Sequence, residues 1–475
     1  MFLRFLLCLI LLSPAVAPTA SAQQVESPLP PSQERLEKME QQIEDLRRAL
    51  EAMKSQLSAA EPKTEPKTEP TPSPPNSDRL AELERRLDLL AQELEQLGLG
   101  QVAAVADESQ YGFGPAASKI YREEPGLSFG GYGEMLFQGF DSTRDDGSAS
   151  GKKDEFDFLR AILYAGYKFN DRWIFNSEIE FEHASTGERG SVSVEFAYLD
   201  YLWKPELNLR TGLLLVPMGF VNELHEPTTF LGSSRPSVER QIIPSTWREN
   251  GAGIFGEIGG FTYRTYLLNG LDASGFSSSG IRGGRQKGSK ATADNLAWTG
   301  RLDYVGQPGF LAGISAYFGN SGQGIEGSSG QVLGVETSIL EGHVEWRRKG
   351  FELRGLYAQA DLDDVAELNE TLGLSGASSI GEELRGYYLQ AGYDLLARSG
   401  SERGLIPFIR YESLDTQSKV PNGFLRNPSR DVETLTLGLS FKPIDRIVFK
   451  VDYQDVDNGS ETGIDQFNVG LGYIF

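Results

Sequence analysis

The chain has 475 residues, a formal net charge of −22, 54 Gly, 23 Pro and one Cys. The acidic balance argues against a nucleic-acid binder, because phosphates call for a basic surface. One Cys excludes a disulfide scaffold and a Cys-rich zinc site, and three His (His183, His225, His343) leave few ways to build a His-based metal or catalytic centre. Beyond residue 20 no stretch approaches the ~18 consecutive apolar residues of a spanning helix. A membrane barrel remains open, since its strands alternate polar and apolar and average to a soluble-looking hydropathy.

In chain order, Arg4 precedes the apolar run Phe5 to Leu12, and small residues end in Ala20-Ser21-Ala22. Residues 1–22 therefore read as a secretory signal cleaved before Gln23, with Cys8 inside the removed piece. In 23–60, Leu36, Met39, Ile43, Leu46, Leu50, Met53 and Leu57 alternate three and four apart, a coiled-coil seam with charges on the other faces. Residues 61–77 repeat Glu-Pro-Lys-Thr and continue with Pro70, Pro72, Pro74 and Pro75, an extended spacer. Residues 78–98 carry a second seam (Leu80, Leu83, Leu87, Leu90, Leu94, Leu97), capped by Asp78 and ended by Gly98. The two seams either fold into a hairpin or pair with other copies; a spacer of about 16 residues is longer than a hairpin needs and favours oligomerisation. Residues 99–125 read as a further linker.

From residue 126 to 475 the pattern is strand throughout. Phe467, Val469, Leu471, Tyr473 and Phe475 take every second place, with Asn468, Gly470 and Gly472 between them. Leu435, Leu437, Leu439 and Phe441 repeat this, as do Ile447, Phe449, Val451 and Tyr453. One face suits lipid and the other water. About sixteen candidate strands follow: 127–140, 154–169, 171–183, 190–204, 206–216, 250–259, 260–270, 294–306, 310–319, 331–349, 350–361, 381–398, 404–415, 430–442, 445–457 and 463–475. Short turns such as Asn170-Asp171, Gly259-Gly260 and Lys349-Gly350 alternate with long polar loops. The expected fold class is an all-β transmembrane β-barrel of antiparallel strands, preceded by an α-helical coiled-coil stem on the periplasmic side of a Gram-negative outer membrane.

A closed barrel of that size leaves a water channel. The longest loop, 217–249, holds Arg235, Arg240 and Arg248 with Glu223, Glu226, Glu239 and Glu249. Folded inward it is a pore constriction with a transverse field; folded outward it is a latch on a neighbouring subunit. By alternation Arg160, Lys168, Arg210, Arg264, Arg301, Arg354, Arg410, Arg446 and Lys450 point into the lumen, as do Asp303, Glu352, Glu412 and Asp452. Each such Arg either contacts solute or pairs with a lumen acid. The basic loop 281–290 (Arg282, Arg285, Lys287, Lys290) is either a funnel at the mouth or a contact for lipopolysaccharide phosphates.

Phe158-Leu159-Arg160-Ala161, Phe196-Ala197-Tyr198-Leu199-Asp200-Tyr201 and the run Leu209 to Gly219 (Leu-Arg-Thr-Gly-Leu-Leu-Leu-Val-Pro-Met-Gly) carry a resemblance. Val238-Glu239-Arg240, Leu268-Asn269-Gly270 and Pro407 to Glu412 extend it. Together they resemble the phosphate-selective porin O and P family. The resemblance implies a homotrimeric sixteen-stranded porin whose loop after Val-Pro-x-Gly enters the pore, and some members carry an N-terminal coiled coil. It is specific for the family and not for the solute.

No enzyme is expected: the three His are scattered, and no Gly-x-Ser-x-Gly surrounds a Ser. His225 reads as a polar loop residue. Asp455-Val456-Asp457-Asn458-Gly459 lacks calcium-loop spacing and reads as a turn, so neither metal nor cofactor is expected. The expected function is passive diffusion of small hydrophilic solutes or ions, anions such as phosphate among them. The alternative is a structural anchor, in which residues 33–97 reach a cell-wall or periplasmic partner. Helix and spacer would extend about 40 Å and about 50 Å.

Overall fold

A computed structural model describes residues 109–475 apart from 186, 188, 329 and 400. The expected signal over 1–22, both coiled-coil segments, the Pro-rich spacer and the start of the following linker lie outside the described residues. Sixteen strands form one closed antiparallel barrel in which each pairs with its sequence neighbours and β1 closes on β16. They are β1 (Gly126–Phe140), β2 (Glu155–Lys168), β3 (Trp173–Glu182), β4 (Ser191–Lys204), β5 (Leu207–Leu215), β6 (Arg248–Ile258), β7 (Phe261–Asn269) and β8 (Leu296–Gln307), then β9 (Phe310–Asn320), β10 (Glu336–Arg348), β11 (Phe351–Leu362), β12 (Glu383–Tyr393), β13 (Gly404–Lys419), β14 (Asp431–Ile444), β15 (Ile447–Asn458) and β16 (Gln466–Ile474). Short helices α1 (Lys119–Arg122), α2 (Val238–Gln241) and α3 (Val365–Thr371) belong to the connecting segments and not to the wall. No described helix is long and apolar enough to cross a membrane.

The alternation read from the sequence sets the two faces. In β15, Phe449 and Val451 are exposed outward while Val448, Lys450 and Asp452 are buried inward. In β14, Leu437 and Leu439 face out and Thr436 and Ser440 face in. Leu163, Leu209, Leu267, Ile314, Leu340, Leu389 and Ile409 extend the outer apolar belt round the wall. Aromatic pairs ring the short-turn end: Trp173 with Tyr201, Phe261 with Tyr304 and Phe351 with Tyr393. An apolar band bounded by an aromatic girdle over a polar interior is the surface of a transmembrane barrel, because every backbone group is paired in the closed ladder.

Most strand ends fall within two residues of those read from the sequence. Four differ more, one of them the start of β16, at Gln466 rather than residue 463. β10 starts at Glu336, because Leu333 and Val335 turn into the buried interior. β12 stops at Tyr393, because Asp394 Oδ1 accepts the N–H groups of Leu396 and Leu405 and closes the turn. β13 runs on to Lys419, where Ser418 Oγ bonds Glu383 across the pair. Arg248 and Glu249, expected in the long loop, are the first residues of β6 and pair with Leu215 and Leu214.

Candidate functional site

The connection between β5 and β6, residues 216–247, folds into the lumen. Its apolar content decides this: Val216, Met218, Phe220, Val221, Phe230, Leu231, Val238, Ile242, Ile243 and Trp247 are all buried. Each large side chain gains about 1.5–3 kcal/mol over leaving it in water. The entry is sharp. Gly219 has φ +65, and a Cβ there would stand 2.6 Å from a Glu239 carboxylate oxygen, so only glycine turns the chain without strain or clash. Asn222 ties the two ends together, donating to the Val216 and Trp247 carbonyls at 2.6 and 3.0 Å and accepting the Trp247 N–H at 2.6 Å.

This plug touches the wall on opposite sides. The Ser233 N–H donates to Asp452 of β15 and the Ser237 N–H to Glu412 of β13, both at 2.6 Å. Tyr388 Oη of β12 donates to Glu239 at 2.7 Å. Phe220 packs edge-on against His343 of β10, and Arg354 of β11 lies over its ring at 4.6 Å. Across the barrel Thr246 Oγ1 donates to Glu195 of β4 at 2.7 Å, and His225 faces Glu178 of β3 at 3.2 Å.

The segment 109–125, expected as a linker, instead packs inside the barrel, with Phe113, Ala116, Ala117 and Ile120 buried. Phe113 stacks on Tyr198 at 5.1 Å. The Glu226 carboxylate accepts the N–H groups of Ala116 and Ala117 at 3.1 and 2.9 Å. Burial pushes that carboxyl up to about 7 against the pull of the two N–H groups. Arg210 anchors the segment to the wall. Its guanidinium lies 4.6, 4.5 and 4.5 Å from the Phe113, Tyr198 and Phe255 rings and forks onto Asp200 at 2.8 and 2.9 Å. Asp200 and Arg210 are both buried. Asp200→Ala leaves that guanidinium uncompensated, and the expected loss is about 3–5 kcal/mol, read as a lower unfolding midpoint in detergent.

The other expected lumen cations are mostly tied to acids. Arg160 pairs with Glu134 at 3.3 Å and Arg410 with Glu412 at 2.8 Å. Arg264 and Arg301 share Glu223 (3.0 and 3.5 Å) and Asp303 (2.9 and 2.8 Å). Arg354 pairs with Glu345 and approaches Glu352 at 3.9 Å. Lys168 reaches Asp171 at 3.7 Å, and Lys450 donates to the Phe230 carbonyl at 2.9 Å. Arg446 does not line the lumen; it is exposed in the turn between β14 and β15, where the pleat has ended.

The constriction residues separate into buried ones, the acids and Arg248, and the more open Arg235 and Arg240. Glu223, Glu226 and Glu239 are buried against wall or backbone. In β6, Glu249 accepts from Asn269 at 2.7 Å and from the Gln286 N–H at 2.8 Å, and Arg248 pairs with Glu195 at 3.1 Å. Arg235 is half-buried and Arg240 exposed. No described carboxylate lies within 4 Å of Arg235, Arg240, Arg282 or Arg285. Glu223, Glu226 and Glu239 thus sit inside the plug, Arg248 is buried on Glu195, and Arg235 and Arg240 are left on the long-loop side.

The basic loop leans over the same side. Arg282 donates to the Arg240 carbonyl at 3.3 Å and to that of Ser245, and Arg285 to those of Pro244 and Thr246 at 3.0 and 2.9 Å. Burial, then the Arg285, Arg240, Arg235 and Arg160 guanidiniums, press Arg282 down to about 9. Beside burial, the mutual repulsion of Arg282, Arg285, Arg240 and Arg235 makes a locally positive field, which an anion would relieve. On the short-turn side lies a cavity of about 410 Å³, lined among others by Tyr111, Glu223, Arg264, Arg301 and Arg354.

The wall acids Glu178, Glu195, Asp200, Glu341 and Glu345 did not emerge from sequence reasoning. Their only signal is inward parity, and at Glu195 a β-bulge breaks even that, since Glu178 pairs with Phe196 and Ile179 with Val194.

The chain is 36% identical over 377 residues to an uncharacterised protein of Aquifex aeolicus (strain VF5), covering 77% of this chain and 83% of the relative. The chain belongs to the family of that protein. No family model matches it. Among solved structures, OmpF of Salmonella typhi in complex with daunomycin superposes with TM-score 0.49 at 15% identity, over 75% of this chain and 99% of that one. A loop-deletion form of OmpT, an outer membrane protein of Vibrio cholerae, gives TM-score 0.46 at 11% identity, over 74% and 99%.

Proposed function

We propose that the protein is an outer-membrane channel, not an enzyme, through which small anions diffuse passively past the plug. The observation that carries this reading is the cluster Arg235, Arg240, Arg282 and Arg285 at one mouth, none of which makes a salt bridge among the described residues. Guanidiniums present forks that match phosphate and other oxyanions, in keeping with the resemblance to the phosphate-selective porins. A homotrimer, lipopolysaccharide contact at the long-loop rim and a periplasmic stem belong to the same proposal. Liposome swelling tests it. Vesicles holding the protein should swell faster in an anionic solute than in a cationic one of equal size, and equal rates would contradict the reading.

One observation favours a second role, anchoring. The segment that leads from the stem is bonded inside the barrel through Glu226, Asp200 and Arg210, so a pull on the stem is borne by the wall. Deleting residues 23–100 should leave swelling intact and abolish envelope attachment if the stem is a tether.

A further inference from the structure

Glu178 of β3, Glu195 of β4 and His225 of the plug come together in the buried interior, each at most 2% exposed. Both Glu178 oxygens lie 3.2 Å from His225 Nε2, and Glu195 Oε2 lies 3.6 Å from it. On the other side of the ring, Nδ1 is 3.0 Å from the Asn222 carbonyl. A carbonyl only accepts, so Nδ1 carries a hydrogen, and in the neutral ring Nε2 then presents a lone pair. That lone pair faces two carboxylates, which also only accept when ionised. Acceptors crowded at this distance need something positive between them.

Two further observations bear on the cluster. Glu195 Oε1 is satisfied by Thr246 and Arg248, while Oε2 accepts from no N–H group and the Glu180 carboxyl stands beside it as a third acid. Tyr132 is 1% exposed, its ring packs against the His225 ring, and its hydroxyl has no partner. The bulge described above is what aims Glu195 inward beside Phe196, and bulges of this kind re-aim side chains at functional sites.

We propose that Glu178, Glu195 and His225 bind a divalent transition-metal ion of the zinc type. Around a cation with N and O ligands about 2.1 Å away, neighbouring donors stand about 3.0–3.4 Å apart, close to the separations seen. One imidazole with two carboxylates suits zinc better than calcium or magnesium, which prefer all-oxygen shells. The Asn222 carbonyl on Nδ1 is the outer-shell bond that orients a ligating histidine. Tyr132, whose ring packs against that of His225, keeps a buried hydroxyl with its bonding capacity free. Because His225 belongs to the plug while both carboxylates belong to the wall, the ion would fasten the plug to the barrel.

The test uses the full chain, folded in detergent, stripped with a chelator and titrated with Zn²⁺ and separately with Co²⁺. One ion per chain is expected, with a Co²⁺ visible spectrum of imidazole–carboxylate coordination. His225→Gln and Glu195→Gln should each weaken uptake by about 100-fold or more, since each removes a ligand rather than an outer-shell partner. Far-UV circular dichroism checks that each variant is folded, and either variant alone suffices if the other is not. His183→Gln, at the exposed histidine between β3 and β4, should leave uptake unchanged. No stoichiometric uptake, uptake unaffected in both ligand variants, or uptake lost with His183→Gln would each overturn the proposal and leave a protonated His225 as the positive group. Metal uptake is read without conductance, so this result is independent of the transport reading.

Discussion

Replacing Arg235 and Arg240 together with Glu is expected to turn an anion-preferring barrel into a cation-preferring one. The anion-to-cation permeability ratio, read from the zero-current potential under a KCl gradient, should fall by about tenfold or more. The two side chains make no salt bridge among the described residues, so the change removes no folding contact of that kind and reverses the sign of one mouth. Arg282 then faces acids where it faced the Arg240 and Arg235 guanidiniums, and its pull on anions falls. The shift should be largest at low salt, because screening over about 10 Å at 0.1 M shrinks to about 3 Å at 1 M. Unchanged selectivity would mean that ions enter by another route.

The second large effect concerns the plug. Val216 and Trp247 are already joined by a backbone hydrogen bond of 3.0 Å, so residues 218–245 can be exchanged for a short Gly-Ser turn without moving β5 or β6. Single-channel conductance should rise several-fold, because a sixteen-strand barrel is too wide for wall side chains to fill. Selectivity should weaken at the same time, since Arg235 and Arg240 leave with the plug. The strand ladder is continuous without it, and the freed wall charges, such as Asp303 with Arg264 and Arg301, remain paired and become hydrated. An unaltered conductance would show that residues 216–247 do not limit the current.

Much of the barrel was legible because its period is two and its outer face meets lipid. Phe449, Val451, Leu437 and Leu439 fix parity in β14 and β15, and turns such as Gly259-Gly260 fix the connections. The same parity placed Arg160, Arg210, Arg264, Arg301, Arg354 and Arg410 on the inner wall. It failed at Arg446, where a turn had already ended the pleat.

Inside the lumen period ceases to help, and contacts between distant residues take over. The long loop was read through its charges, yet its buried apolar residues, Phe220, Ile242, Ile243 and Trp247 among them, are what draw it inward. Those residues were a usable signal, since a loop left in water gains nothing from them. Tyr111, Phe113 and Ile120 were a similar sign in the stretch taken for a linker. His225, read as an ordinary loop residue, is buried against Glu178 and Glu195, a meeting that no spacing in the chain foretells. Which constriction residues are buried, as the acids and Arg248 are, and which stay open, as Arg240 does, likewise depends on the wall each side chain finds.

The account rests on the claim that anions pass the plug along the unpaired arginines. Its most direct test is the zero-current potential of the unaltered protein in a planar bilayer under a KCl gradient, repeated with phosphate added on the long-loop side. The account predicts a potential directed toward that of chloride, with current reduced as phosphate occupies the arginine cluster. A potassium-directed potential with no block by phosphate would contradict it.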